Sequence, residues 1–285
     1  MISTPQKYAA IEQHIRTPTG RTILAASLQQ PLRERRDYAS VGRKAFLVDP
    51  LVNGALPVYE KDIDVHAYIV GEEGDSISSV VKGKRILCPL FEVTALPEIP
   101  LTEITNRRFD VIERSVAKGT SDIGYQEDDK VFGTIDALLD DPTAPNADIT
   151  VPGNLTPAAV ADAFGAIERN DLRVAYMFMN ARDFTDLRKW DRDVFDPISQ
   201  AEMLKTGVRD GLYGAKIVVS RVIPEGTVYL TCEPEFFGRV PVRYDLTILS
   251  ADNPKARTIG FSMFECLGAC AYNPYGGQRI KIVRQ

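Results

Sequence analysis

The chain alternates apolar and polar positions most cleanly just before residue 70. Ile63, Val65, Ala67 and Ile69 share one phase, and Asp62, Asp64, His66 and Tyr68 the other. A period of two predicts a half-buried strand. A second β-rich run, from Ile86 to Val93, follows a long polar stretch. That stretch carries acids first (Glu72, Glu73, Asp75) and bases last (Lys82, Lys84, Arg85). Ordinary hairpins turn within about five residues. The pattern therefore predicts a long projecting hairpin over 58–94, with opposite charges toward its tip.

Past Pro100 the period changes. Phe109, Ile112, Val116, Ile123, Val131, Ile135 and Leu138 fall on one helical face, which predicts a single long amphipathic helix over about 103–140. Thr102 is placed to cap its start, and at ~1.5 Å per residue it would run about 55 Å. Gly119 and Gly124 fall mid-helix and mark either a bend or a closely packed neighbour. After a Pro-rich break, Thr156 and Pro157 open a short helix. The buried strand "VAYMFMN" and a helix "ARDFTDLRKW" follow, then a helix closed by Gly207. From Ala215 the pattern is β: "AKIVVSRVI", a turn at Pro224-Glu225-Gly226, "TVYLTC", "VPVRYDLTILS", "RTIGFSMFECLGACAYN" and "QRIKIV". With a short apolar strand in 46–57, the elements predict an α+β protein without internal repeats.

Composition sets the size of the problem. The 285 residues are 44% hydrophobic and 26% charged, which is ordinary for one large globular domain or two smaller ones. No run of about 18 apolar residues exists, and the N-terminus lacks the apolar core of a signal peptide. No membrane partner is expected, and synthesis in a cytoplasm is. Charge is spread unevenly. Residues 1–45 hold eight Lys or Arg against three acids, within a chain of net charge −5. Pro5, Pro18, Gly20 and Pro31 and weak periodicity make this segment read as an extended arm. Residues 46–75 hold seven acids against Lys61 alone. The arm of one copy is therefore expected along the acidic hairpin root of a neighbour; the rival expectation puts Arg33, Arg35 and Arg36 on nucleic acid.

Little in the chain suggests catalysis. His14 and His66 are the two histidines, and neither belongs to a triad pattern. Nucleophile-elbow, phosphate-loop and zinc-protease motifs are absent. "GLYG" at 211–214 is half a glycine motif and follows no strand. Glu127, Asp128 and Asp129 read as a solvated or ion-paired helix face. Cys88, Cys232, Cys266 and Cys270 are expected to be reduced and buried. Cys266 and Cys270 lack the second ligand pair of a zinc site. No catalytic residue, metal or cofactor is expected.

In element order the chain resembles the major capsid proteins of tailed bacteriophages, which have the Hong Kong 97 fold. The likeness covers nearly the whole chain. It is carried by the arm, the hairpin, the long helix ending "QEDDKVFGTIDALL", and the stretches "YMFMNARDFTDLRKW", "GLYGAKIVVSRVIPEGTVYL" and "CAYNPYGGQRIKIV". The resemblance implies an N-terminal arm (1–45) and an extended loop (58–94). It implies a peripheral domain (46–57 and 95–150) with a spine helix (101–140), a mixed α/β axial domain (151–235), and C-terminal strands shared between the two domains (236–285). It implies a structural protein whose pentamers and hexamers build an icosahedral shell around double-stranded DNA. Assembly would occur in a bacterial host's cytoplasm and the product would be the virion. Implied partners are a portal protein, separate scaffolding or decoration proteins, and DNA held non-specifically. Expected contacts between subunits are Glu72, Glu73, Asp75, Lys82, Lys84 and Arg85 on the hairpin, with Arg33, Arg35 and Arg36 on the arm. Some relatives carry a fused, later cleaved scaffolding segment before the arm; here no such segment is expected, and scaffolding would be a separate protein or absent. Lys82 and Lys84 could crosslink as in some relatives, but without an identifiable Asn and acid no crosslink is expected. Two readings compete: an encapsulin-like shell around cargo enzymes, and a DNA-binding protein using the basic arm. A pI near 5.3 counts against the last.

Overall fold

β-branched and aromatic runs in the C-terminal half form strands, and the 3.6-residue pattern before them forms helices. The computed structural model describes residues 38–52, 54–60, 84–106, 111–142, 144–190 and 211–284. A 3-10 turn (Gly42–Ala45) leads into β1 (Leu47–Pro50), β2 (Val58–Glu60), β3 (Arg85–Leu87), β4 (Leu90–Ala95) and β5 (Glu98–Pro100). Helices α1 (Leu101–Asn106) and α2 (Val111–Leu139) precede β6 (Ile149–Pro152), α3 (Pro157–Glu168), β7 (Val174–Met179) and α4 (Ala181–Arg188). Then come β8 (Gly211–Leu212), β9 (Ala215–Val219), β10 (Thr227–Cys232) and α5 (Pro234–Phe237). The chain closes with β11 (Gly238–Ser250), β12 (Thr258–Gly268), β13 (Cys270–Ala271), a 3-10 turn (Pro274–Gly276) and β14 (Gly277–Val283).

Two compact units emerge. One comprises Met1–Ala39, Thr94–Ile123 and Leu246–Phe264, the other Ser40–Val93, Gly124–Asp245 and Glu265–Gln285. The larger unit is built on a mixed sheet of order β6-β14-β10-β7-β9-β8. Strand β14 runs parallel to β6 and antiparallel to β10, and β7 runs antiparallel to β10 and parallel to β9. Its middle strands are buried nearly throughout, as strands covered on both faces are. Helix α3 packs against the sheet through Ala159, Val160, Ala163, Phe164 and Ile167, all buried. Each large one contributes about 1.5–3 kcal/mol on burial. The Thr156 hydroxyl accepts from Ala159 N–H and Pro157 holds the first helical position, as the sequence predicts. From helix α2, Phe132 stacks on Tyr229 and meets Phe178 edge-on, with centroids 5.9 and 5.5 Å away. The turn after β9 needs Gly226: its φ is +83°, and a Cβ there would lie 2.8 Å from the Ile282 carbonyl oxygen.

Arginines on and beside β14 tie this unit together. Arg279, buried, bonds Asp136 at 2.8 Å, Asp148 at 2.8 and 2.9 Å, and Asp140. Burial works against the Asp148 charge, but Arg279 and Lys281 hold its carboxyl below the usual range. Arg284 bonds the buried carboxylates Asp183 (2.6 Å) and Asp186 (2.8 Å) of α4. Asp183 also accepts from Gly226 N–H at 3.0 Å, fixing the turn.

A second sheet has the order β1-β11-β12-β4, with β13 pairing β11 and β5 pairing β12. In the smaller unit, β5 pairs antiparallel with Thr258–Gly260, around buried Ile99, Ile123 and Met263. This pairing corrects the expected helix start. The segment before Leu101 is strand rather than cap, and Leu101 N–H, at the head of α1, donates to the Arg257 carbonyl at 3.1 Å. Backbone takes the capping role, and Thr102 lies inside the helix. The expected single helix is described in two parts, with 107–110 outside the described residues. Helix α2 alone has 29 residues, about 43 Å at ~1.5 Å each. It runs unbroken through Gly119 and Gly124. A Cβ on Gly119 would meet the Met263 methyl and sulfur, so there the glycine admits a close neighbour. The predicted strand 62–69 and the helix ending at Gly207 lie outside the described residues.

Candidate assembly surfaces

The chain just after the basic segment is fixed to α2 by carboxylates. Buried Asp128 accepts from Ser40 Oγ (2.7 Å), Val41 N–H (2.8 Å) and Gly42 N–H (2.8 Å). It thereby satisfies donors at the head of the 3-10 turn that have no partner inside it. Gly42 suits the site, because a Cβ there would lie 2.7 Å from Asp128 Oδ1. One residue on, the Arg43 guanidinium donates from Nε to Glu127, from Nη1 to Asp245 (3.1 Å) and from Nη2 to Glu265 (3.3 Å). Three carboxylates from α2, β11 and β12 converge on it. Burial, with repulsion from Glu127, pushes Glu265 up to about 7 despite Arg43. Burial also raises Glu127, and Arg43 opposes the rise. Glu265 Oε1 is buried without a hydrogen-bond partner among the described residues. No group of His, Cys, Asp or Glu among them is arranged to hold a metal.

The hairpin root is the second surface. β2 and β3 pair antiparallel, with Val58 opposite Leu87, Tyr59 opposite Ile86 and Glu60 opposite Arg85. The Tyr59 hydroxyl donates to Asp49 Oδ2 at 2.8 Å, and Arg239 stands 5.5 Å from its ring centroid. Burial and then Asp49 raise the phenol above its ordinary range. The neighbouring positions point outward. Val58 is 41% exposed and Leu87 66%, and Leu56, just before the ribbon, is 74% exposed. A directly opposed, exposed apolar pair on a two-stranded ribbon is weak in water alone. Beside it lies a groove of about 790 Å³, lined by Val58, Tyr59 and Ile86 and by Phe236, Tyr272 and Tyr275 across from them.

The structure brings few of the sequence-predicted residues together. Arg33, Arg35, Arg36, Glu72, Glu73, Asp75, Lys82 and Phe109 lie outside the described residues. Lys84 and Arg85 are exposed at the hairpin root, and Arg85 Nε pairs with Glu60 of its own chain at 3.0 Å. Such exposed pairs contribute only ~0–1 kcal/mol. On α2, Ile123, Val131 and Ile135 are buried, while Ile112, Val116 and Leu138 are half-buried. Glu127 and Asp128 are buried and partnered, and Asp129 is exposed. Sequence reasoning missed Glu265 and the Val58–Leu87 pair. For Glu265 a signal existed: it falls in phase with Met263 and Leu267 in β12, on the buried side.

No protein-family profile matches the chain, and no curated protein matches it in sequence. Solved structures do match. The mature capsid of bacteriophage PhiM1 superposes with a TM-score of 0.68 at 10% identity, covering 90% of this chain and 91% of that one. The chain has the Hong Kong 97-type capsid fold. A structure from Mycobacterium phage Che8 gives 0.66 at 14% identity, covering 88% and 94%. The capsid of the native GTA particle gives 0.62 at 14%, covering 90% and 96%. The capsid fold thus extends over nearly the full length of both partners in each comparison.

Proposed function

We propose that this protein is the major structural subunit of a tailed-phage-type capsid, self-assembling into an icosahedral shell around double-stranded DNA. The carrying observation is the capsid fold shared over about nine-tenths of the chain with phage and GTA capsids. The hairpin root adds support: Val58 and Leu87 expose apolar surface that a neighbouring subunit would cover. In this reading 58–94 is the extended loop, α2 the spine helix, and the basic segment before Tyr38 an arm reaching a neighbour. Its role is structural rather than enzymatic. A portal protein, separate scaffolding or decoration proteins and the packaged DNA complete the partners, with the virion as destination and the host cytoplasm as assembly site.

The test is negative-stain microscopy with light scattering on the purified protein. Pentamers, hexamers or shells are expected, held by interfaces above about 2,000 Å² per subunit. A concentration-independent monomer at micromolar levels would overturn the proposal. Small closed shells carrying co-purified enzymes would replace it with a cargo compartment.

A further inference from the structure

We propose that Arg43, Glu127 and Glu265 form a proton-operated latch on the chain just after the basic segment, closed while Glu265 holds a proton and opened once it gives the proton up. The latch rests on a count of charges. Arg43 donates from Nε to Glu127 at 2.5 Å and from Nη2 to Glu265 at 3.3 Å. Both carboxylate side chains are only 3% exposed. With both ionised, two negative charges face one positive charge out of water, and one proton restores neutrality. The contacts say which carboxyl holds it. Glu127 has the shorter bond, whereas Glu265 Oε1 is buried without a partner among the described residues. Burial and then repulsion from Glu127 act together in raising Glu265.

The surrounding groups do not relieve the excess. On α2, Asp128 adds a further negative charge and accepts from Ser40, Val41 and Gly42, while Asp129 and Lys130 are exposed. On β11, Asp245 accepts from Arg43 Nη1 at 3.1 Å with its side chain 75% exposed, and Arg243 donates to the Ala55 carbonyl at 3.2 Å. Lys44 beside Arg43 and Glu92 on β4 are exposed. Among the described residues no second cation bonds Glu127 or Glu265. Arg43 also covers the pair, because its guanidinium reaches from the exposed Asp245 to the two buried carboxylates and stands between them and water. Loss of the Glu265 proton leaves a net negative charge under that cover. Arg43 cannot answer it fully, since its Nε and Nη1 already serve Glu127 and Asp245. The excess is relieved when the 3-10 turn lifts, Arg43 withdraws and water reaches both carboxylates. Four amides report the opening. Val41 and Gly42 N–H donate to Asp128, and Lys44 and Phe46 N–H close the turn on the Val41 and Arg43 carbonyls. Closed, Glu265 titrates near 7; opened, near its ordinary 4.5. By linkage, opening grows easier as pH rises between those values and is level above them. The latch belongs to the single chain and does not depend on the shell.

The test is hydrogen–deuterium exchange of the full chain from pH 5 to 8.5, read by mass spectrometry on peptides covering 41–46. Each rate is corrected for the intrinsic exchange rate at that pH. Peptides from β7 and β10 report unfolding of the whole unit. The expected result is exchange over 41–46 well ahead of β7 and β10. Its corrected rate should rise about tenfold or more from pH 5 to 7 and level off above about pH 8. Glu265→Gln, uncharged at every pH, should keep the turn closed and its exchange flat across the range. The proposal is overturned if 41–46 exchanges no sooner than β7 and β10, since the turn then opens only with the whole unit. It is equally overturned if the corrected rate does not rise with pH, or if the same rise persists in Glu265→Gln. Should Glu265→Gln not fold, the first two criteria decide on the unaltered protein.

Discussion

Glu265 is an acid held where its strand would otherwise place an apolar side chain. Its carboxyl titrates near 7 in the folded protein against an ordinary value of 4.5. Between those values the folded state keeps a proton that the unfolded chain has released. By linkage, this group's contribution to stability falls as pH rises through that window and is level above it. Glu265→Gln keeps the shape and stays neutral, so it removes that slope. The denaturant midpoint of the unaltered protein, relative to the variant, is expected to fall between pH 5 and 7.5. A constant difference across that range would refute the assignment. Asp148 carries the opposite sign. Held below the usual range by Arg279 and Lys281, it stabilises above the ordinary carboxylate range, and its contribution is lost as pH falls below it.

At the scale of elements, α2 and the ribbon β2–β3 ask different things of the chain. Ile123 is buried and its neighbour Asp122 exposed. Ile123→Asp buries an unpaired carboxylate and should cost about 3 kcal/mol or more. Asp122→Ala should change stability by under ~0.5 kcal/mol. Denaturant midpoints compare the two, and equal effects would mean that the helical phase is wrong. For the ribbon the expectation reverses. Leu87→Glu changes an exposed residue, so subunit stability should move by under ~0.5 kcal/mol while sedimentation shows no shells. Normal assembly of that variant would remove Leu87 from the interface. The C-terminal run of strands and the Thr156 cap were legible because local periodicity and capping chemistry decide them. The start of α1 was not, because pairing of Glu98–Pro100 with β12 overrode the preference of Thr102 for a cap. Nor was the carboxylate cluster: Arg43 meets Glu127, Asp245 and Glu265 only after chain segments remote in sequence are folded together, and no local window contains them.

At the scale of the whole molecule, the question is where the basic segment goes. In the proposed shell, Arg33, Arg35 and Arg36 would contact a neighbouring subunit or, in the rival reading, packaged DNA. Limited trypsin digestion separates them. Equal protection of these three sites in empty and filled particles, with rapid cleavage in free subunits, is the expected outcome. Protection only in filled particles would instead make the segment a genome contact. Another consequence follows from sheet order. Strand β14 lies between β6 and β10, yet both of those leave the ribosome well before it. Until Gly277–Val283 is made, β6 has no neighbour in the sheet and one edge of β10 is open, and Arg279 and Arg284 are missing from the carboxylates that await them. A chain cut short by premature termination therefore cannot complete the sheet. In the proposed shell, the order of synthesis would then act as the inspector, because a copy without β14 lacks the finished sheet that assembly would need.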